Sequence, residues 1–452
     1  TSITYLDNST LGFVDSLDHS QAVGRQLNGG VLQLKGSNTL RFATDLHNNT
    51  ADKMQFDSLA AGSTDSPQYI TVAYDKSFDG SNDNSIVGKA TVLNITELNG
   101  NDLSQFLGQK SEFDSPLNQF SATPTVEVDG NSVNITRIDF KTIGASESVM
   151  IASDADMALR GIWRAESNNL MKRMGELRNE QADSKGGVWA RYYGGQLNGD
   201  GGYGRSIGQN YNGFQAGVDK VQDYKDGKLV TGLLVNHIQG SSEYAVGSGK
   251  VSSTGLGLYT SWIGDKGHYV DVVARMSKLS NRFHLVDKSG NRADGDYSKW
   301  AYGLSAEYGY RKALSGGWFV EPQIELTLSH INSGEYTMSN GLQIQQDALS
   351  SFVARMGVLA GRTFTHQGGV GNTYVKASVL HEFSGNGSAQ AYYQGNGLSI
   401  QSGDMGGTWC ELGIGANVPL SSKSNLYLDA IKTFGSKMQS NWQINAGVRF
   451  AF

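Results

Sequence analysis

Two adjacent asparagines, Asn168 and Asn169, stand in the charged segment AESNNLMKRMGELRNE at 165–180. An asparagine can break the peptide bond on its C-terminal side without an external nucleophile. Its side-chain nitrogen attacks its own backbone carbonyl and closes a five-membered succinimide. Because an amide nitrogen is a weak nucleophile, a base or a base-activated water must help, and the leaving amine needs support. A fixed side-chain rotamer would also hold the asparagine nitrogen close to the carbonyl carbon that it attacks. The pair is therefore a candidate self-cleavage site in which Asn168 cyclises.

Three acids are candidates for the base. Asp271 in HYVDVVA, Glu307 in WAYGLSAEYGY and Glu325 in VEPQIELTLS each alternate with apolar neighbours. In strands, such alternation places the acids on the face opposite to the apolar side chains. A second interpretation stays open for them. They could neutralise the basic residues of the charged segment, Lys172, Arg173 and Arg178, or only hydrate a pore.

Other chemistries have weak support in the sequence. The eight histidines show no metal-binding spacing, so neither a metal nor a cofactor is predicted. The single cysteine, Cys410, excludes an internal disulfide and alternates in phase with apolar neighbours, which predicts an outward position. A net charge of −6 and a pI near 5.8 argue against nucleic-acid binding.

The element that must carry the asparagines is a helix. Residues 145–186 contain good helix formers and no proline. After Asn169 the helix would be polar around most of its circumference, which is unusual for a helix seeking a dry core. The pattern fits a helical linker that runs through a polar, enclosed lumen.

Residues 187–452 alternate as strands and contain twelve strand candidates. In WQINAGVRFAF, every second residue from Trp442 to Phe452 is apolar. The strands are about 9–12 residues long or more, which is long for soluble sheets. Their apolar faces carry aromatics near the ends, and the opposite faces mix charges with glycines. We therefore predict a mostly β protein with a twelve-stranded antiparallel outer-membrane β-barrel, whose even strand number permits closure.

Residues 1–144 show a third sequence pattern, in which short β-like rungs are separated by polar turns. This pattern predicts the end of a β-solenoid or a sandwich, and the less regular stretch 57–141 is a candidate cap. The first residues, TSITYLDNSTL, start in the middle of a rung pattern without a signal peptide. We expect the sequence to begin inside a longer precursor.

Several segments resemble the monomeric autotransporters of type V secretion. SNTLRFATDLHNNTADKMQF resembles their autochaperone region, GVWARYYGG their first barrel strand, and AGVRFAF, with Phe450 and Phe452, their C-terminal assembly signal. The resemblance implies a barrel in the outer membrane of a Gram-negative bacterium that translocates its own passenger to the cell surface. It also implies a monomer surrounded by outer-membrane lipid and lipopolysaccharide, and assembled with periplasmic chaperones and the barrel assembly machinery.

The segment NNLMKRMGELR resembles, more specifically, the inter-domain motif of serine-protease autotransporters of enteric bacteria. That resemblance implies cleavage between Asn168 and Asn169 inside the barrel. It also implies that YVDVV, GLSAEYGYR and EPQIEL carry the acids of the cleavage site, Asp271, Glu307 and Glu325. No protease nucleophile motif is present. The expected reaction is a single-turnover self-cleavage, and the passenger's activity stays open.

Three alternatives remain from the sequence. The chain could be an uncleaved autotransporter that anchors an adhesin at the surface. It could be a passive porin-like channel, although such a channel gives no reason for the solenoid-like region. It could also be a soluble multi-sheet binding protein.

Overall fold

The computed structural model describes residues 2–13, 23–80, 82–176 and 184–452, except for the side chains of 172–176. The chain forms two compact units. The solenoid unit comprises 1–149 with 286–293 and 392–397, and the barrel unit comprises 150–285, 294–391 and 398–452.

The solenoid unit is built from short strands that stack in parallel. One sheet contains the parallel order β1-β3-β6-β8 and a second contains β2-β4-β7-β9. The core side chains between the sheets, among them Leu32, Phe42 and Phe56, are fully buried. The predicted solenoid is therefore confirmed. The strands are β1 (Ile3–Asp7), β2 (Thr10–Gly12), β3 (Gln26–Lys35), β4 (Thr39–Asp45), β5 (Thr50–Ala51), β6 (Lys53–Leu59), β7 (Gln68–Asp75), β8 (Asn84–Glu97), β9 (Phe106–Gly108), β10 (Ser111–Asp114), β11 (Asn118–Asp129) and β12 (Ser132–Ala145).

The stack ends in an antiparallel cap. Strand β8 pairs in parallel with β6 on one edge and antiparallel with β12 on the other, and β11 and β10 follow. Phe78, Phe113, Phe120 and Phe140 pack their rings together there, with centroids 3.9–6.0 Å apart. The parallel rungs continue through β9, so only the last part of the irregular stretch 57–141 belongs to the cap. A cap of this kind covers an edge that would otherwise expose unpaired backbone groups.

Helix α1 (Glu147–Glu176) belongs to the barrel unit from residue 150 onward and precedes the barrel strands in the chain. Short 3-10 helices lie at Leu46–Asn48, Leu103–Gln105 and Ser315–Gly317. The remaining strands are β13 (Gly186–Asp200), β14 (Ser206–Asp223), β15 (Gly227–Tyr244), β16 (Gly247–Gly264), β17 (His268–Val286), β18 (Arg292–Tyr310), β19 (Lys312–Ala313), β20 (Trp318–Ile331), β21 (Gly334–Thr337), β22 (Gln343–Gln346), β23 (Leu349–His366), β24 (Gly369–Glu382), β25 (Ala389–Tyr393), β26 (Asn396–Ile400), β27 (Gly407–Pro419), β28 (Ser424–Phe434) and β29 (Met438–Ala451).

Within 184–452, which the structure describes without a gap, the main sheet has thirteen strands, and one of these is the two-residue β19. The other twelve form an antiparallel barrel that closes where β13 pairs with β29. The predicted barrel is confirmed. The twelve strands have 11 to 19 residues, in agreement with the predicted length of about 9–12 residues or more, and the longest are β17 and β18. Their outward residues turn polar at the end away from the barrel's chain termini, so the hydrophobic pattern stops there while the backbone ladder continues.

The predicted inward and outward faces are also observed. On β20, Leu326 is 44% exposed on the outer surface, whereas Glu325 is 6% exposed inside. Cys410 is exposed on the outer face of β27, as predicted. The described part of the chain contains no helix with both the length and the apolar character needed to cross a bilayer.

The Leu326 position gives a test of the register. Leu326→Arg places a charge on the lipid-facing surface and is expected to destabilise the folded barrel by about 2–4 kcal/mol if the site lies near the midplane. Thr327→Arg, on the inner face of the same strand, is the control and should cost clearly less. Urea unfolding in lipid bilayers measures both. Equal losses would show that β20 has a different register.

Candidate functional site in the barrel lumen

Helix α1 lies inside the barrel, because inward residues of different walls contact it. On β17, Arg275 Nη1 lies 2.6 Å from Glu166 Oε1, and its guanidinium stacks 3.5 Å from the Trp163 ring centroid. Ser253 of β16 donates to the same Glu166 oxygen over 2.9 Å. Arg275 and Glu166 are both buried, and a buried charge is costly without a partner. The ion pair between them compensates both charges.

The helix is also held near the barrel end away from the termini. Arg160 donates to the carbonyl oxygens of Gly385, at 3.1 Å, and Gly403, at 2.7 Å. Arg164 donates to the carbonyl oxygen of Met405 over 2.9 Å. Polar residues on the helix thus find backbone partners in a loop. The polar residues predicted after Asn169, including Lys172, Arg173 and Arg178, lie outside the described side chains.

The two asparagines occupy different environments on α1. Asn168 is half-buried, and its Nδ2 donates to Glu411 Oε2 of β27 over 2.9 Å. Asn169 is completely buried, and its Nδ2 donates to the Ala165 carbonyl within the helix over 3.1 Å. A carboxylate that already accepts a hydrogen from the candidate nucleophile is placed to receive its proton.

Glu307 and Glu325 lie directly opposite each other on β18 and β20. Both pair with Arg355 of β23: its Nε lies 2.5 Å from Glu325 Oε2, and its Nη2 contacts Glu307 Oε1. Tyr269 adds a hydrogen bond to Glu307 over 2.7 Å. A single barrel arginine thus contacts both acids and compensates one of their two negative charges.

Asp271 is fully buried on β17, where its Oδ1 accepts a hydrogen bond from Ser261 over 2.6 Å. A cavity of about 100 Å³ adjoins Asn168 and is lined also by Glu325, Arg355 and Glu411. Of the described residues, those lining this cavity do not include Asp271 or Glu307. The structure therefore brings two of the predicted site residues, Asn168 and Glu325, to one cavity.

Glu411 and Arg355 were not identified from the sequence. A signal for Glu411 was available, because the outward parity of Cys410 places the next residue inward. Which inward acid meets the helix depends on the position of its strand around the barrel, which alternation does not encode. Among the described residues, no set of three or more histidine, cysteine or acidic side chains could hold a metal ion.

The two residues of the expected assembly signal lie on the outer surface beside the closing strand pair. Phe450 faces outward on β29, where Val188 and Ser424 are its neighbours across the ladder. Phe452 is 61% exposed, and its backbone exchanges hydrogen bonds with Lys185 and Gly186 over 2.8 and 2.9 Å. The terminal aromatic side chains are accessible from outside the barrel.

A twelve-stranded barrel filled by a helix that follows a β-solenoid defines the translocator class of outer-membrane proteins. The family profile described as autotransporter beta-domain matches residues 188–430, and the chain belongs to this family. The barrel is therefore the outer-membrane translocator of a Gram-negative autotransporter. The predicted family, fold class and localisation are confirmed, and a soluble multi-sheet protein is excluded.

Three similar proteins illustrate the match. Pertactin autotransporter of Bordetella parapertussis is 34% identical over 64% of this chain and 31% of its own length. Serine protease EspC of Escherichia coli is 26% identical over 98% of this chain and 33% of its own length. The crystal structure of the β domain of the Bordetella autotransporter BrkA has a TM-score of 0.51 and 27% identity, over 60% of this chain and 100% of that domain. The chain spans about a third of the length of these two curated relatives.

Proposed function

We propose that this translocator, after moving its passenger to the cell surface, cuts its own chain between Asn168 and Asn169. Residues 1–144 would be the passenger end, 145–186 the linker through the pore and 187–452 the barrel. The observation that carries the proposal is the 2.9 Å hydrogen bond from Asn168 Nδ2 to Glu411, both of which line the same cavity. Phe450 and Phe452 would be read by the barrel assembly machinery, after chaperones deliver the monomer to a membrane rich in lipopolysaccharide.

The proposed reaction balances without a cofactor. Asn168 Nδ2 attacks the Asn168 carbonyl carbon while Glu411 takes a proton from that nitrogen. The tetrahedral intermediate collapses, the bond to the Asn169 nitrogen breaks, and that nitrogen takes up the proton as it leaves as an amine. The passenger then ends in a succinimide, which water opens. The buried Arg355, held by Glu307 and Glu325, lines the same cavity as Asn168 and fixes a cation there.

The asparagine backbone must also change shape for this step. Asn168 and Asn169 lie within α1, where regular helical backbone is held by hydrogen bonds between successive turns. Ring closure at Asn168 requires this turn to open locally, so the helix near the asparagines must be able to unwind. The surrounding anchors, such as Glu166 with Arg275, would hold the rest of the helix meanwhile.

The test compares two of the candidate bases, Glu411 and Asp271. Purified protein in lipid bilayers is expected to yield a barrel fragment that begins with Asn169, as read by N-terminal sequencing and intact mass. Glu411→Gln should slow the cleavage by about 10²–10⁴-fold if Glu411 is the base. Asp271→Asn tests the acid favoured from the sequence in the same way.

The matched control is Glu382→Gln, which removes an acid lining the same cavity whose contacts are with Ser351 and Arg164. It should leave the cleavage rate within about threefold of the wild type, since it does not touch Asn168. If Glu411→Gln and Asp271→Asn also cleave at the wild-type rate, neither Glu411 nor Asp271 is the base.

The second candidate function is an uncleaved, surface-anchored passenger. The observation in its favour is the number of buried contacts that fix α1 in the lumen, with Glu166, Arg160 and Arg164 all engaged. A chain that stays intact in folded membranes for days would support this anchored form.

A further inference from the structure

The outer surface of strands β15 to β17 has two zones. Near the middle of these strands, the outward side chains are apolar and exposed: Leu233, Val235, Leu256, Leu258 and Met276. Toward the end away from the barrel's chain termini, the outward residues become polar on the same parity. The boundary marks where the strands leave the hydrocarbon region and enter the headgroup layer on the outer side.

Three exposed cations lie in the polar zone. Lys278 follows Met276 on the outward parity, directly at the boundary, and faces Thr254 across the ladder. Four residues further along β17, Arg282 lies opposite Lys250 of β16. The cations therefore form two levels, separated by about 13 Å along the strand.

The surface between these levels is concave and polar. A groove of about 480 Å³ lies over β14 to β18, and hydroxyl, amide and charged groups line most of it. Ser252, Ser280, Asn210 and Gln239 are among these groups, together with Lys250 and Arg282. Such groups offer hydrogen bonds to sugar hydroxyls as well as to phosphate oxygens.

Acids nearby do not cancel the cations. Arg282 pairs with Asp296 over 3.4 Å, but both side chains are largely exposed, at 78% and 66%. An exposed pair of this kind is weak, so the guanidinium can exchange its partner for a phosphate. Glu243, on the neighbouring strand β15, lies beyond the two levels toward the strand end.

We propose that this surface binds a phosphorylated glycolipid of the outer leaflet, of the lipid A type. Its acyl chains would lie on the apolar zone, with one phosphate on Lys278 and the second phosphate on Lys250 and Arg282, which face each other across the ladder. The inference deepens the proposed partnership with lipopolysaccharide and rests on it. Charge complementarity above an apolar surface selects this amphiphile over a soluble anion, which would gain nothing from the leucines.

The experiment uses the folded full chain in mixed micelles, titrated with bisphosphorylated lipid A and followed by the change in tryptophan fluorescence. Each single change, Lys250→Gln, Lys278→Gln or Arg282→Gln, is expected to weaken binding about fivefold, and the triple variant about a hundredfold. Lys220→Gln is the matched control, because Lys220 is an exposed outward cation at the opposite end of β14. It should bind like the wild type.

Two comparison lipids distinguish the sources of the signal. The wild type should bind dephosphorylated lipid A only weakly. This affinity should equal that of the triple variant for bisphosphorylated lipid A. Phosphatidylglycerol, which carries a single phosphate, should bind the wild type more weakly than bisphosphorylated lipid A does, and the triple variant should lose less affinity for it than for bisphosphorylated lipid A. Equal affinity of the wild type and the triple variant for lipid A, or of the wild type for both lipid A forms, would overturn the proposal.

Folding and cleavage are read separately from binding. Heat-modifiable migration on gels confirms that each variant forms a barrel, and the single variants serve if the triple variant does not fold. Since binding is measured without reference to chain cleavage, an intact chain that binds phosphorylated lipid A supports this site even if the proposed self-cleavage fails.

Discussion

Replacing Asn168 by alanine is expected to keep the passenger and the barrel in one polypeptide under conditions where the wild type separates. The substitution removes the only side-chain nitrogen that can close a succinimide on the 168–169 peptide. The hydrogen bond to Glu411 disappears as well. Because the chemistry has no other nucleophile, the effect is a loss of cleavage to below detection. Gel migration after heating, with intact mass, measures it over a time course.

The control for this change is Asn169→Ala. It keeps the cyclising side chain at 168 and removes only the helical hydrogen bond of Asn169 to Ala165. Cleavage should continue, and the new barrel fragment should begin with alanine. Normal cleavage in the Asn168→Ala protein, or a wild-type barrel fragment starting at any residue other than Asn169, would disprove the cyclisation mechanism.

The second large effect is expected at the seam where the barrel closes. Arg449 on β29 reaches over β13 to Asp219 on β14, with Nη1 and Nη2 at 2.8 and 2.6 Å from the two carboxylate oxygens. In the opposite direction, Arg191 on β13 reaches over β29 to Asp429 on β28, at 2.7 Å. All four side chains are almost fully buried. The two ion pairs therefore link strands on either side of the seam.

Arg449→Ala is expected to destabilise the closed barrel by about 3–5 kcal/mol, because the buried Asp219 carboxylate loses its guanidinium partner. The pairing of β13 with β29, which closes the barrel, should then form later during folding and open earlier during unfolding. Urea unfolding in bilayers gives the free energy of unfolding, and heat-modifiable migration gives the folded fraction.

The comparison variant is Arg137→Ala, which removes an exposed ion pair with Asp139 in the solenoid unit. An exposed pair of this kind contributes at most about 1 kcal/mol. The exchange Arg449→Asp with Asp219→Arg should recover part of the lost stability, since it restores opposite charges across the seam. A loss at Arg449 no larger than that at Arg137 would show that the seam pair does not stabilise closure.

The sequence alone determined the classes of the elements and the faces of the barrel strands. A period of two residues is a local property, so Leu326 and Glu325 could be assigned to opposite faces without knowing any neighbour strand. The same reasoning predicted the outward position of Cys410. The short rungs of the first 144 residues likewise predicted a solenoid, because each rung repeats the same local pattern.

Only the tertiary structure decided which inward groups meet. Alternation determines the face of a residue but not the position of its strand around the barrel, nor the rotation of α1 inside it. Glu411, and not Asp271, is therefore the acid that contacts Asn168, and Arg355 is the cation that joins Glu307 to Glu325. These contacts arise from pairings between strands far apart in sequence. Local patterns carry no record of such pairings, because the pairings form only when the barrel closes around the helix.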